Sequence, residues 1–408
     1  MRLSRYIIII LTVLMTFYGC GGSDRRRLTL ESFAFPVDLA YDEANKNLYV
    51  ISSNFDLGYE YGNIKGISIN LLKPLLIDPC KNECKDYNKS LILNEGINIG
   101  DYAGLSTFYN GKIFVTLRKD SKIAVIETDS RGVLSCGEGE KLIADCDEGH
   151  LISSDKKEPF SIVMREGDRC IYTSFLKSGE VICIDADNYD KSTVPVADFS
   201  NGYEIGGIKD IDISEDGILI SAYAYMMGGR NPLPLSYSFR DKRYTVFLDF
   251  TDVIGSAFQE SVKFSRRDKR FFLTLRNPDL LLSVDYNIYK DGTFVIEDYR
   301  LISLHRYPSR LYIASPVSSE RELLFIAMED EDKIFVYDSE SQILVTEIRE
   351  GLDGPYAMKL IEIDGEDYLF VANFESSTIS VYKFISIENR FEYLLSIGKP
   401  RPKEKGEY

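Results

Sequence analysis

One short pattern recurs seven times along the chain, and it limits the fold more than any other feature. An aromatic or aliphatic residue is followed by an aliphatic one and then by a small one. The copies are Tyr49-Val50-Ile51, Phe114-Val115-Thr116, Ile171-Tyr172-Thr173, Leu219-Ile220-Ser221, Phe272-Leu273-Thr274, Phe325-Ile326-Ala327 and Phe370-Val371-Ala372, with Ile51 departing from the small third residue. Before each copy lies a first apolar run and a polar turn, such as residues 356–360 followed by Asp364-Gly365-Glu366-Asp367. After it come a short polar turn and a third run, as at 123–126, 181–184, 281–284, 334–337 and 379–382. Four of these third runs lead into an acid: Glu127, Asp185, Asp285 or Asp338. A more variable fourth run, such as 343–347, completes the unit.

Four short strands per unit, repeated about every 50 residues, are the mark of a β-propeller. A single four-stranded sheet cannot bury both its faces. Sheets packed side by side around an axis can, and closing the ring removes the bare outer faces. The expected fold is therefore all-β: a seven-bladed β-propeller of four-stranded antiparallel blades over residues 35–400, followed by a polar tail at 401–408. The 27 Tyr and 23 Phe favour strands, and helical periodicity is nearly absent beyond the N-terminus. Two segments compete to supply the outer strand of the last blade, 27–33 and 391–397.

The N-terminus has a different character. Arg2 and Arg5 precede an apolar run over 6–18, which is short of the roughly 20 residues a membrane span needs. The run closes on Phe17-Tyr18-Gly19-Cys20, which resembles the bacterial lipobox: Gly19 and Cys20 match its last two positions, and Phe17 and Tyr18 are looser. The resemblance implies that residues 1–19 are a lipoprotein signal peptide, that Cys20 is acylated, and that 20–34 form a tether. It makes the membrane a partner through the acyl chains on Cys20 and places the chain outside the cytoplasm, lipid-anchored to the cell membrane. Gly21 after the cysteine, rather than Asp, favours the outer membrane where a cell has two.

Removing Cys20 leaves Cys80, Cys84, Cys136, Cys146, Cys170 and Cys183. An even remainder in an exported chain suggests disulfides, most simply between sequence neighbours: 80–84, 136–146 and 170–183. The last pair would face each other on the second and third strands of one blade. Zinc is disfavoured, because the chain has only 2 His.

The last unit, from Gly354-Pro355-Tyr356 through Tyr368-Leu369-Phe370-Val371-Ala372-Asn373 to Thr378-Ile379-Ser380-Val381-Tyr382, resembles the YVTN-type propeller repeat. The resemblance covers the mature chain, most closely in the last two units. The other units carry Ser52, Leu117, Ser174, Ala222, Leu275 and Met328 where the last has Asn373. It implies the propeller fold and little about function, since one scaffold hosts many.

The net charge of −16 repels phosphate backbones and argues against nucleic acid as a partner. In a propeller, the start of each first strand and the turn between second and third strands surround one mouth of the central channel. That places Asp38, Arg118, Asp210, Glu260, Arg276 and Arg310 together, a set able to hold a small polar ligand, with arginines suited to carboxylates or phosphates. Mutual pairing of these charges is the competing outcome. Loops 54–62 and 223–234 add aromatics, methionines and an arginine on the same face, as protein-binding surfaces do. His150 and His305 fall outside the mouth, so a Ser-His-Asp arrangement has no home there. No metal site or cofactor is expected; the stretch Asp185-Ala186-Asp187-Asn188-Tyr189-Asp190 is the calcium candidate, and Glu329-Asp330-Glu331-Asp332 is a polar hairpin turn first and a cation site second. The expected function is non-catalytic: a membrane-anchored scaffold at the cell envelope that binds an envelope protein or a small polar ligand. The competing reading is a metal-dependent, lactonase-like hydrolase working at the same mouth through Asp38, Asp210 and Glu260, with Asn54 beside them.

Overall fold

The computed structural model describes residues 28–77, 91–92, 96–165, 167, 169–194, 207–223, 232–239, 242–255 and 257–401. The expected signal peptide over 1–19, Cys20, Cys80, Cys84 and residues 224–231 of the second long loop lie outside the described residues.

Every copy of the three-residue pattern sits on the second strand of an antiparallel sheet, for example Asn47–Ser52, Arg270–Arg276, Leu323–Met328 and Glu366–Asn373. These strands are apolar at consecutive positions because both of their faces are covered by neighbouring sheets. In Glu366–Asn373, Leu369 and Val371 pack with Leu323 and Phe325 of the preceding blade, while Phe370 and Ala372 pack with Leu48 and Val50 of the first. The innermost strands are Pro36–Asp42, Ala103–Tyr109, Pro159–Arg165, Ile208–Ile213, Phe258–Phe264, Pro308–Ala314 and Pro355–Ile363. Each lies against the next, and Pro355–Ile363 returns to Pro36–Asp42, which closes a propeller ring.

The expectation of seven four-stranded blades is corrected: six sheets are four-stranded, with strands in sequence order from the channel outward. The sheet between the Pro36 and Pro159 blades has five strands. Both Leu134–Ser135 and Leu151–Ser153 pair with Lys122–Thr128 at its outer edge. The cause is an insertion. After Leu134–Ser135 the chain forms a separate two-stranded hairpin, Lys141–Ile143 with Cys146–Asp147, before returning to the sheet.

Two expected disulfides are present. Cys136–Cys146 pins that hairpin, with its Cα atoms 4.6 Å apart. Cys170–Cys183 joins the second and third strands of the Pro159 blade at a Cα separation of 5.5 Å. Its residues are diagonal neighbours and not opposite ones: Cys183 faces Tyr172, and Cys170 faces Asp185. Two bridges in one chain fit an oxidising, extracytoplasmic compartment. Among the described residues no helix is long and apolar enough to cross a membrane.

The C-terminal candidate closes the last blade: Arg390–Ile397 pairs along Thr378–Ile385. The N-terminal candidate does something else. Residues 28–34, read from the sequence as tether, lie against the seam between the first and last blades. Phe33 is fully buried in the cluster that both blades share, and the Lys399 amide donates to the Glu31 carbonyl at 2.7 Å. Lys65, 1% exposed, turns its ammonium onto the carbonyls of Thr29 (2.6 Å), Leu30 (3.3 Å) and Ser32 (2.6 Å). A buried charge is tolerable only when hydrogen-bonded in this way. Helix Ile69–Ile77, which the strand-dominated pattern did not reveal, covers the same seam with Ile69, Leu72 and Leu76.

Candidate functional site

Each innermost strand slips register against its partner within its first few residues: at Pro36/Asp38, Ala103/Ser106, Pro159/Ile162, Ile208/Asp210, Gln259/Ser261, Pro308/Leu311 and Pro355/Ala357. A bulge turns a side chain that strict alternation would send elsewhere. Repeated around the ring, it decides which polar residues enter the channel and which stay at its rim.

The channel holds a cavity of about 320 Å³ to which every innermost strand contributes. Its acids are Asp38, Asp210 and Asp212, and its cations are Lys263, Arg266, Arg310 and Lys359. The acids are occupied by the protein itself. Asp38 accepts from the Ser106 amide (2.6 Å) and hydroxyl (2.8 Å) of the next sheet. Asp210, fully buried, accepts from the hydroxyls of Ser161 (2.7 Å) and Ser261 (2.6 Å) and from the amides of Ile211 (3.0 Å) and Val262 (3.2 Å). Burial alone would raise its carboxyl pKa. Lys263, Arg310 and the two serine hydroxyls outweigh that and hold it below the usual carboxylate range. Asp212 accepts from the Phe264 amide at 2.7 Å. These acids join neighbouring blades.

The cations are less fully used. The Arg310 guanidinium lies 3.7 Å from Asp210 and 5.8 Å over the Tyr356 ring, and its buried NH1 makes no hydrogen bond among the described residues. Lys263 stands 3.7 and 3.8 Å from Asp210 and Asp212. Burial lowers the pKa of the Lys359 ammonium, against the pull of Asp38.

At the start of the innermost strands the channel opens into a second cavity of about 400 Å³, bordered by Phe55, Arg118, Phe160, Lys209, Glu329 and Phe374, with Leu105 and Tyr356 shared between the two. Arg118 stacks 5.2 Å over Phe160 and lies 3.7 Å from Glu158, and its buried Nε has no hydrogen-bond partner among the described residues. Glu260 and Arg276 pair beside this mouth. Glu260 meets Lys209 and, at 3.4 Å, the Arg276 Nε, while Arg276 reaches Glu329 at 3.7 Å and covers the Tyr307 ring at 5.3 Å. Loop 54–62 forms a lip. Asn54 bonds its side-chain amide to the Tyr59 carbonyl (2.9 Å) and Asp101 (2.6 Å), and half-exposed Phe55 makes edge contacts with Phe35, Tyr102 and Phe374.

The six residues picked from the sequence thus divide. Asp38, Asp210 and Arg310 meet in the channel, Arg118 lines the mouth, and Glu260 and Arg276 form a rim pair. Asp212, Lys263, Arg266 and Lys359 were missed, although Asp212 lies two residues beyond Asp210, the period at which a strand repeats its face. Among the described residues, no three His, Cys, Asp or Glu side chains converge as a metal site requires. Asp185, the first acid of the calcium candidate, accepts the amides of Asp187 (2.9 Å) and Asn188 (3.0 Å) in a tight turn. His150 is paired with Asp147 at 2.8 Å, away from both cavities.

No protein-family model matches the sequence, and no curated protein matches it. Solved structures do resemble the fold. The hydrazine synthase of Kuenenia stuttgartiensis is 12% identical, covering 90% of this chain and 99% of that one at a TM-score of 0.58. A candidate 6-phosphogluconolactonase from Bacteroides uniformis is 13% identical, covering 79% and 87% at 0.55. One from Bacteroides fragilis is 16% identical, covering 81% and 88% at 0.51. At these identities the likeness shows a β-propeller and nothing of its chemistry.

Proposed function

We propose that the protein is a lipoprotein, anchored outside the cytoplasm through Cys20, whose propeller binds a ligand at the channel mouth without transforming it. The observation that carries this reading is the mouth itself: an aromatic-lipped cavity lined by Arg118, whose buried Nε has no partner among the described residues. Such a mixture of apolar wall and few oriented donors is what small-ligand sites use. Half-exposed Phe55 and Tyr61, at 50% and 43%, extend the surface toward an envelope protein partner. The strand-end motif on every second strand supports placing the chain among divergent YVTN-type repeat propellers.

The metal-dependent hydrolase is less well supported. It needs carboxylates free to hold a cation, and Asp38 and Asp210 are engaged by serines and amides, Glu260 by Lys209 and Arg276. The test has two arms. A palmitate analogue fed to expressing cells labels the full chain and leaves Cys20→Ala unlabelled and released from membranes. Crosslinking on intact cells captures a partner that Arg118→Ala loses. Label on Cys20→Ala, or capture indifferent to Arg118, would overturn the corresponding half.

A further inference from the structure

The channel wall carries one more cation than acid, inside a chain whose net charge is −16. The excess is not used up by hydrogen bonds. Arg310 is nine-tenths buried, its NH1 has no hydrogen-bond partner among the described residues, and the nearest acid oxygen, 3.7 Å away on Asp210, is engaged by the Ser161 hydroxyl and the Ile211 amide. Lys263 stands beyond hydrogen-bond distance of both acids beside it, and Lys359 has no hydrogen-bond partner among the described residues. Donors left in this state inside a closed polar space lose their hydration without a replacement. An oxyanion supplies that replacement, with charge-assisted bonds stronger than neutral ones.

We propose that the channel is an oxyanion site, in which a carboxylate or phosphate group is held between Arg310, Lys263 and Lys359. The inference deepens the reading above by naming the ligand's chemical class, and it rests on residues separate from Arg118. The space is adequate: about 320 Å³ is at the lower end of small-ligand cavities. The way in is present too, because Leu105 and Tyr356 border both the channel and the mouth. The ligand's anionic group enters the channel, and the rest of it remains among the aromatics of the mouth.

Calorimetric titration of the full chain with inorganic phosphate, with citrate and with uncharged glycerol tests this. Saturable binding of phosphate or citrate, and none of glycerol, is expected. The tighter of the two anions identifies the class. Arg310→Met and Lys359→Met each weaken that binding roughly tenfold or more, the loss of one charge-assisted contact. Arg349→Gln, far out on a blade edge, leaves it unchanged. Among the described residues Lys359 makes no hydrogen bond, so its variant keeps the fold and decides the matter if Arg310→Met does not fold. No saturable binding of either anion, or equal binding by wild type and Lys359→Met, overturns the proposal. Crosslinking lost in Arg118→Ala alongside failed anion binding removes the channel ligand and keeps the mouth; the reverse result removes the mouth and keeps the channel.

Discussion

Two seams of the ring are built differently. Between the Ile208–Ile213 and Phe258–Phe264 strands, acids of one blade reach into the next: Asp210 takes the Ser261 hydroxyl and the Val262 amide, and Asp212 takes the Phe264 amide. Between Pro355–Ile363 and Pro36–Asp42, closure depends on a shared apolar cluster, on Phe33, and on the Lys65 ammonium holding three carbonyls of residues 29–32. Blades that follow one another in the chain are already neighbours, so their seam needs alignment. The last seam joins segments from opposite ends of the sequence, and it needs area and an added strap to offset the entropy of bringing them together.

That contrast can be broken most decisively at Asp210. Asp210→Ala leaves two serine hydroxyls, the Val262 amide and two cations without their common acceptor. Urea denaturation should show a loss of about 3–5 kcal/mol, the range for removing one partner of a buried ion pair. A loss under about 1 kcal/mol would mean that the interior seam is apolar after all. At the closing seam, Lys65→Met leaves the three carbonyls unsatisfied, and a smaller loss of about 2–3 kcal/mol is expected. Limited proteolysis should then begin between residues 28 and 35, whereas Asp210→Ala should leave that segment protected.

The smallest effect sharpens the comparison through pH. The Asp210 carboxyl is held below its ordinary value, so its ionised form stabilises the folded chain. That contribution is complete above the ordinary carboxylate pKa of about 3.9 and fades as pH falls through the lower folded value. The melting temperature of wild type should therefore fall through this acid window more steeply than that of Asp210→Asn. Lys65→Met should keep the wild-type slope, since a lysine does not titrate there.

The ring was legible because its signal is redundant. Consecutive apolar residues ending in a small one mark a strand covered on both faces, and each of the seven copies occupies such a strand. Two of the three expected disulfides, Cys136–Cys146 and Cys170–Cys183, were legible from cysteine order. The five-stranded sheet was not, because Leu134–Ser135 and Leu151–Ser153 are too short to carry a period. The site was legible in part. Sequence alignment brought Asp38, Asp210 and Arg310 to the channel, but the bulge in each innermost strand breaks the alternation on which that alignment relied. Glu260 consequently turned out to be a rim residue, while Ser261 beside it faces Asp210. Lys65 carried no signal at all: a lysine in a strand reads as solvent-facing until the carbonyls of residues 29–32 are folded over it.

The strap over the closing seam also sets an order of events. Its residues precede all the blades in the chain, yet the groups that receive them, Ser377 for the Phe35 amide and Lys399 for the Glu31 carbonyl, belong to the last blade and the segment after it. A polypeptide that lacks its last blade therefore has two uncovered blade faces and no means of joining them. Completion is withheld until the final strand is in place, so a product cut short by even a few dozen residues leaves an open arc for proteases to find.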